Sequence, residues 1–126
     1  MSEAKKGQEE IRESRLTAVE NKYAHRDYEV NITFPEFTCL CPMTGYPDFA
    51  TIHVKYGPDE LILELKSAKL YINKFRDEGF FHEEAVNKIL DDFVAVCKPR
   101  RMEVVGDFNP RGNVKTVVRV EYNKES

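Results

Sequence analysis

The sequence is poor in three features: it has no tryptophan, only three cysteines among 126 residues, and no long apolar run. Without such a run we expect no membrane-spanning helix, and we recognise no secretory signal. An odd number of cysteines does not suit a disulfide framework, so we expect reduced thiols and a cytoplasmic location. A net charge of −3 argues against nucleic acid as a partner.

Several short functional motifs are also absent. The chain contains no Gly-x-Gly-x-x-Gly run, no Walker phosphate loop and no His-Glu-x-x-His pair, so it carries no dinucleotide fingerprint. What it does have is 41% hydrophobic and 33% charged residues, which is enough for one soluble domain with its own core.

The spacing of apolar residues divides the chain into two parts. Residues 1–24 are highly charged and predict an N-terminal arm, either frayed or a short surface helix, and residues 25–126 predict one domain. Within that domain, alternation with period two predicts strands over 28–34, 52–56, 102–108 and 114–122, with 61–65 extended. A period near 3.6 predicts one helix from Ala68 that Gly79 ends, and another with an apolar face from Ala85 to Cys97.

The order of these elements is β-β-α-α-β-β. It predicts an α+β domain in which an antiparallel four-stranded sheet carries two helices on one face. Such a sheet has two open edges, and a ring of subunits that pair edge to edge would cover them. We therefore expect a homo-oligomer.

Residues 37–48, Phe-Thr-Cys-Leu-Cys-Pro-Met-Thr-Gly-Tyr-Pro-Asp, are the most informative segment. Pro42, Gly45 and Pro47 interrupt the backbone pattern three times, so we predict a loop that is neither helix nor regular strand. Two thiols and a carboxylate on one loop suggest covalent chemistry, with a cysteine nucleophile beside an acid or base.

Three interpretations of the two thiols stay open. They could be buried small apolar residues, two ligands of a metal ion, or a nucleophile with a neighbour. Structural zinc sites usually show two closely spaced pairs, and this chain has one, so we predict no metal site. Position favours Cys41 over Cys39 as the nucleophile, because Cys41 lies directly before Pro42 in the tightest part of the loop, and Asp48 can fold back towards it.

Other polar side chains have both a functional and a purely structural interpretation. Lys66 and Lys69 lie near a predicted helix start, where phosphates bind, but lysines there are often only solvated. His82 and Glu83 precede the most apolar helix; a glutamate there could accept two hydrogen bonds from a guanine-like base, or simply suit the helix dipole. Arg111, in a turn, could bind a phosphate or lie free on the surface.

Taken together, residues 35–50, 64–71, 81–84 and 110–112 resemble the nitrile reductase QueF family, the NADPH-dependent 7-cyano-7-deazaguanine reductases. The resemblance implies the tunnelling fold (T-fold) and rings of subunits, commonly two stacked pentamers, with active sites at the subunit interfaces. It implies reduction of the nitrile of 7-cyano-7-deazaguanine to an aminomethyl group, with two NADPH consumed, in queuosine biosynthesis. The substrate is then the free deazapurine base, with no nucleic acid or membrane as a partner.

The same resemblance assigns roles to individual residues. Cys41 would attack the nitrile and form a thioimide, and Asp48 would donate the proton. The residues implied in substrate binding are Leu63, Glu64, Leu65, His82 and Glu83, and those implied in NADPH binding are Lys66, Lys69 and Arg111. Two alternatives remain: a metal-dependent T-fold purine or pterin hydrolase or cyclohydrolase, and a purine-binding module without catalysis.

Overall fold

The computed structural model describes residues 6–125 of the chain, without the side chains of residues 12–13. Its elements in chain order are α1 (Lys6–Glu13), β1 (Ala18–Glu20), β2 (Val30–Leu40), β3 (Pro47–Gly57), β4 (Leu61–Leu63), α2 (Leu65–Asn73), a 3₁₀ helix (Lys74–Asp77), α3 (His82–Cys97), β5 (Arg101–Phe108) and β6 (Val117–Asn123). None of the helices described is both long and apolar enough to cross a membrane.

A four-stranded antiparallel sheet in the order β2-β3-β5-β6 forms the centre of the domain. The inward side chains of its strands and the apolar faces of α2 and α3 make one buried cluster. The α+β class and the β-β-α-α-β-β order predicted from the sequence are confirmed.

The edge strand β2 contains a β-bulge that changes which of its side chains point inward. Phe34 pairs with Ile52 and Phe37 pairs with Ala50, so three steps along β2 match two steps along β3. The extra residue lets Phe34 and Phe37 both pack in the core, although an odd number of steps separates them. Because of this shift Cys39 points inward and is fully buried.

The prediction that residues 37–48 form only a loop is wrong. β2 continues to Leu40 and β3 starts at Pro47, so only residues 41–46 form the turn of a long hairpin. The prolines do not prevent this, because Pro35 lies at the bulge of an edge strand and Pro47 is the first residue of its strand.

Both main helices start with a glutamate cap. The Glu64 carboxylate accepts the backbone N–H groups of Lys66 and Ser67, each at 2.8 Å, and so begins α2 directly after β4. The prediction that extended chain continues to residue 65 is therefore wrong at Leu65, the first residue of α2. In α3 the Glu84 carboxylate accepts the N–H of Phe81 at 2.9 Å.

The predicted N-terminal arm is more structured than the sequence suggested. β1 pairs with β4 in a small second sheet, and Arg100 donates hydrogen bonds to the carbonyls of Ala24 and Arg26. Three residues without alternation give no strand signal, so β1 was not predicted. Residues 1–5 of the arm lie outside the described residues, and the division at residue 24 stays a prediction.

Close packing of α3 on the sheet depends on Gly106. A Cβ atom at this position would lie 2.5 Å from Cγ2 of Val86 and 2.9 Å from the ring of Phe108. The missing side chain lets α3 approach β5, and this approach brings the start of α3 over the end of β5 where Phe108 lies.

Candidate active site

Cys41 is the first residue of the hairpin turn and is only partly buried. Its N–H donates to the carbonyl of Tyr46 at 2.8 Å, and its carbonyl accepts the N–H of Gly45 at 2.8 Å. Gly45 has a φ of +76°, which a glycine adopts without strain. These contacts close the turn on itself and fix the backbone that carries the thiol.

The turn also supplies hydrogen bonds to the sulfur. The pKa of the Cys41 thiol lies below its ordinary value, because the hydroxyl of Thr44 and the backbone N–H groups of Thr44 and Met43 donate to it. Burial and the negative charge of Asp48 act in the opposite direction. The net effect favours the thiolate, the reactive form of cysteine.

The other two cysteines are in the opposite situation. Cys39 and Cys97 are fully buried, and burial raises the pKa of each to about 12. The Cys39 Sγ lies 3.9 Å from the carbonyl oxygen of Phe80, to which it donates. The buried interpretation therefore holds for these two thiols, and Cys41 alone of the three is both accessible and activated.

Asp48, the second residue of β3, is almost buried, with 9% of its surface exposed. Arg111 Nη1 donates to one carboxylate oxygen at 2.5 Å, and His82 Nε2 lies 3.2 Å from the other. The carboxylate is near enough to Cys41 for its charge to act on the thiol. A nucleophile, an acid and an imidazole thus meet at one end of the sheet.

The first turn of α3 holds His82 and Glu83 at this same end. The His82 ring stacks flat on Phe108, with 3.8 Å between ring centres and 5° between planes, and this fixes its edge towards Asp48. Of the two adjacent glutamates, Glu84 is occupied by the helix cap. Glu83 is exposed, and its carboxylate bonds to none of the side chains that the structure describes, so it is available for a ligand.

The remaining predicted site residues form a second group around the start of α2. The group comprises Leu63, Glu64, Leu65, Lys66 and Lys69. Both carboxylate oxygens of Glu64 cap the helix, and these contacts with the N–H groups of Lys66 and Ser67 hold its pKa below the usual range. Lys66 pairs with Glu10 at 3.2 Å, and Lys69 is exposed one turn further on.

Within one chain the two groups lie apart. Along β3, the eight steps from Asp48 to Tyr56, whose hydroxyl accepts the Leu63 N–H, cover about 26 Å at about 3.3 Å per residue. Along the helices, α2 and the 3₁₀ helix cover about 21 Å before Gly79 pairs with Leu40 beside the thiol turn. The structure brings Cys41 and Asp48 together, but not with Glu64 or the lysines.

Arg111 lies with the first group and not with the lysines. Besides its contact with Asp48, its guanidinium lies over the ring of Tyr46 at 5.2 Å from the ring centre. The role of Arg111 in phosphate binding stays a prediction.

Sequence reasoning missed three residues of this site: Thr44, which donates to the thiol, Phe108, which supports His82, and Tyr46, which lies under Arg111. Thr44 could have been found, because a hydroxyl three residues after a cysteine in a Pro-Gly turn can reach its sulfur. Phe108 gave no such signal, because its contact with His82 depends on how α3 crosses β5.

Comparisons with known proteins identify the family of this chain. A family model described as "QueF-like protein" matches residues 47–126. The chain is 56% identical over 98% of its length to a protein of Microcystis aeruginosa, covering 94% of that protein. It is 52% identical over its full length to a protein of Thermosynechococcus vestitus, covering 96% of it. Both relatives are named NADPH-dependent 7-cyano-7-deazaguanine reductase.

A solved structure supports the fold. The apo form of an archaeosine synthase QueF-Like aligns with a TM-score of 0.69 over 74% of this chain and 91% of its own, at 22% sequence identity. That similarity applies to the fold and not to the activity.

An activated thiol at the end of an antiparallel sheet, with a carboxylate and an imidazole beside it, is an arrangement that suits an enzyme working through a cysteine. Within this class the chain belongs to the family of NADPH-dependent 7-cyano-7-deazaguanine reductases, since identities of 52–56% extend over almost its whole length. The relatives give no support to the hydrolase alternative.

Proposed function

We propose that this protein is a cytoplasmic enzyme that reduces the nitrile of 7-cyano-7-deazaguanine to an aminomethyl group, with NADPH as the reductant, in queuosine biosynthesis. The observation that carries the proposal is the sequence identity: the chain is 55–56% identical to reductases of this name over 98–100% of its length. The cluster of Cys41, Asp48 and His82 supports it, because these side chains supply what a nitrile needs before it can be reduced.

The first chemical step is addition of the thiol across the triple bond. The Cys41 thiolate sulfur bonds to the nitrile carbon, one carbon–nitrogen π bond is lost, and nitrogen takes a proton, which gives a thioimide. The proton comes from the Asp48–His82 pair, whose atoms lie 3.2 Å apart. Asp48 is the donor and His82 orients its carboxyl group and replaces the proton.

Recognition of the polar edge of the base is assigned to Glu83, and contact with its other side to the residues at the start of α2. The exposed Glu83 carboxylate, one residue from His82, can accept a ring N–H and an exocyclic amine together. Leu63, Glu64 and Leu65 would add the opposite wall of the pocket, with Leu65 59% exposed at the start of α2.

NADPH would be held by its phosphates. Lys66 and Lys69 expose two ammonium groups one turn apart at the beginning of α2, and such a donor set suits phosphate. When bound, NADPH supplies the hydride, and two equivalents are consumed for each nitrile. The protein residues orient the substrate, supply protons and exclude water.

We propose further that the protein is a homo-oligomeric ring and that each active site combines two subunits. Cys41 and Asp48 of one chain would face the Glu64 and lysine group of a neighbour, because the two groups lie more than about 20 Å apart within a chain. Large apolar side chains are exposed in both places: Met43, Tyr46, Phe49 and Phe81 near the thiol, and Leu65 near the lysines. The edge strands β2 and β6 offer the backbone for pairing.

The activity is tested by mixing the purified protein with NADPH and 7-cyano-7-deazaguanine. We expect NADPH absorbance to fall, with two NADPH oxidised for each aminomethyl product detected by mass spectrometry. If the base binds without oxidation, the protein is a binding module. If an amide or acid forms in place of the amine, it is a hydrolase.

The shared site is tested by mixing subunits. Cys41→Ala and the double variant Lys66→Ala, Lys69→Ala should each have little activity, since each lacks one group. Assemblies that contain both variants should regain part of the wild-type rate, because some sites combine the intact thiol of one chain with the intact lysines of another. Mixed assemblies that stay inactive would show that both groups work within one chain.

A further inference from the structure

We propose that Arg111 positions Asp48 for attack on the nitrile, a step that takes place before any hydride is transferred. This proposal rests on the proposed function. It goes beyond the phosphate-binding role that the family resemblance implies for Arg111, because it assigns the arginine to a step in which NADPH has no part.

The contacts of Arg111 are with the reaction centre. Its Nη1 atom donates to Oδ1 of Asp48 at 2.5 Å and reaches the carbonyl oxygen of Pro47 at 3.4 Å. The same guanidinium lies over the Tyr46 ring, 5.2 Å from its centre. The partner carboxylate is nearly buried, at 9% exposure, whereas the Arg111 side chain is 40% exposed. Loss of one partner of such a pair has a larger effect than loss of one partner of an exposed pair, because the remaining carboxylate charge is left nearly buried without compensation.

The conformation of the loop between β5 and β6 places the Arg111 side chain beside Asp48. Arg111 and Val114 exchange two backbone hydrogen bonds of 3.0 Å, with Gly112 at φ +58° and Asn113 at φ +68° between them. Two successive positive φ values in a Gly-Asn pair make a type I′ turn, the tightest two-residue connection. The Asn109 N–H donates to the carbonyl of Phe49 at 2.8 Å and ties the loop to β3 next to Asp48.

The effect of Arg111 on Asp48 follows from the partners of the two carboxylate oxygens. Arg111 holds Oδ1, so Oδ2 is directed towards His82, which lies 3.2 Å away. Without Arg111 the carboxylate would keep one partner and could rotate about its last bond, and the proton would no longer be aimed at one place. The charge of Asp48, which opposes thiolate formation at Cys41, is the charge that the Arg111 guanidinium pairs with.

The test measures thioimide formation without NADPH, by absorbance and by the mass of the protein. We expect Arg111→Gln to form the adduct about ten- to a hundredfold more slowly than wild type, because misplacement of a catalytic group has effects of this size. Arg111→Lys should recover part of the rate, since it keeps the charge without the planar fork. Arg119→Gln is the matched control: it removes the same charge from a side chain that is 61% exposed and that, among the described residues, pairs with Glu103 at 3.4 Å.

A double-mutant cycle shows whether Arg111 acts through Asp48. If it does, Arg111→Gln should slow adduct formation in the wild type and have little further effect in Asp48→Asn. The proposal is overturned if Arg111→Gln forms the adduct at the wild-type rate and only raises the KM for NADPH, or if the two substitutions have additive effects.

A substrate-free measurement separates this proposal from the proposed function. Alkylation of Cys41 by iodoacetamide, followed against pH, should move to higher pH in Arg111→Gln, and it should move less in the Asp48→Asn background. An equal shift in both backgrounds overturns the proposal. Absence of any adduct in the wild-type protein would instead contradict the proposed function, and the alkylation cycle would still decide the role of Arg111.

Discussion

Replacement of Cys41 by alanine is expected to abolish thioimide formation and to lower NADPH oxidation by at least about a thousandfold, the range for loss of a covalent nucleophile. The physical reason is that a nitrile carbon accepts hydride poorly until sulfur has added to it. The measurement is the mass of the intact protein after incubation with 7-cyano-7-deazaguanine. Wild type should gain the mass of the whole base, because addition of a thiol across a triple bond expels no leaving group.

Cys39→Ala is the control for this variant. Cys39 lies two residues earlier, but its thiol is fully buried and its pKa is raised to about 12, so it should contribute nothing to the adduct. The Cys39→Ala protein should therefore gain the same mass as wild type. If the adduct persists in Cys41→Ala and disappears in Cys39→Ala, the assignment of the nucleophile is wrong.

Asp48→Asn is expected to slow adduct formation by about a hundred- to ten-thousandfold, the usual range for loss of a general acid. Asparagine keeps the size of the side chain and an acceptor for Arg111, but it has no proton to give to the nitrile nitrogen. Binding of the base should change little, because Glu83, which we assign to base recognition, is on a separate element. Rapid mixing without NADPH measures the rate, and equilibrium titration measures the binding.

The same substitution should make Cys41 more reactive in a different assay. The charge of Asp48 raises the pKa of the Cys41 thiol, so its removal lowers that pKa and extends the thiolate to lower pH. Alkylation by iodoacetamide should consequently reach half of its maximal rate at a lower pH in Asp48→Asn than in wild type. A variant that alkylates faster but adds to the nitrile more slowly separates loss of the proton donor from damage to the thiol. If both rates fall, the substitution has disturbed the turn.

The alternating strands and the apolar helix could be predicted from the sequence because each has one regular period. The stretch from Phe37 to Leu40 could not, because its alternation is out of phase with that of Val30 to Phe34, and only the bulge reconciles them. The prolines have a similar effect: as breaks in the backbone pattern they predict a loop, although an edge strand and a first strand position both accept proline.

The candidate site shows the same limit. The neighbouring proline favours Cys41 over Cys39 as the nucleophile, and this stays a prediction; what the structure adds is that Cys41 is partly exposed and Cys39 is buried. The cap formed by Glu64 has a local signal in the sequence, a glutamate just before a helix. No local signal shows that the residues at this helix start lie far from Cys41 and Asp48. That separation depends on where the long hairpin and α2 end, a property of the whole sheet.

The bulge in β2 has a consequence for how sequences of this family should be aligned. The extra residue keeps Cys39 on the inner face although an odd number of steps separates it from Phe34, and Cys41 lies beyond the last strand pair, Leu40 with Pro47. Loss of one residue between Phe34 and Phe37 would restore simple alternation and leave Phe37 and Cys39 facing the core, so both sulfurs would keep their environments. An alignment gap at this place is therefore compatible with the same chemistry, whereas loss of one residue between Phe37 and Cys39 would turn the first sulfur outward.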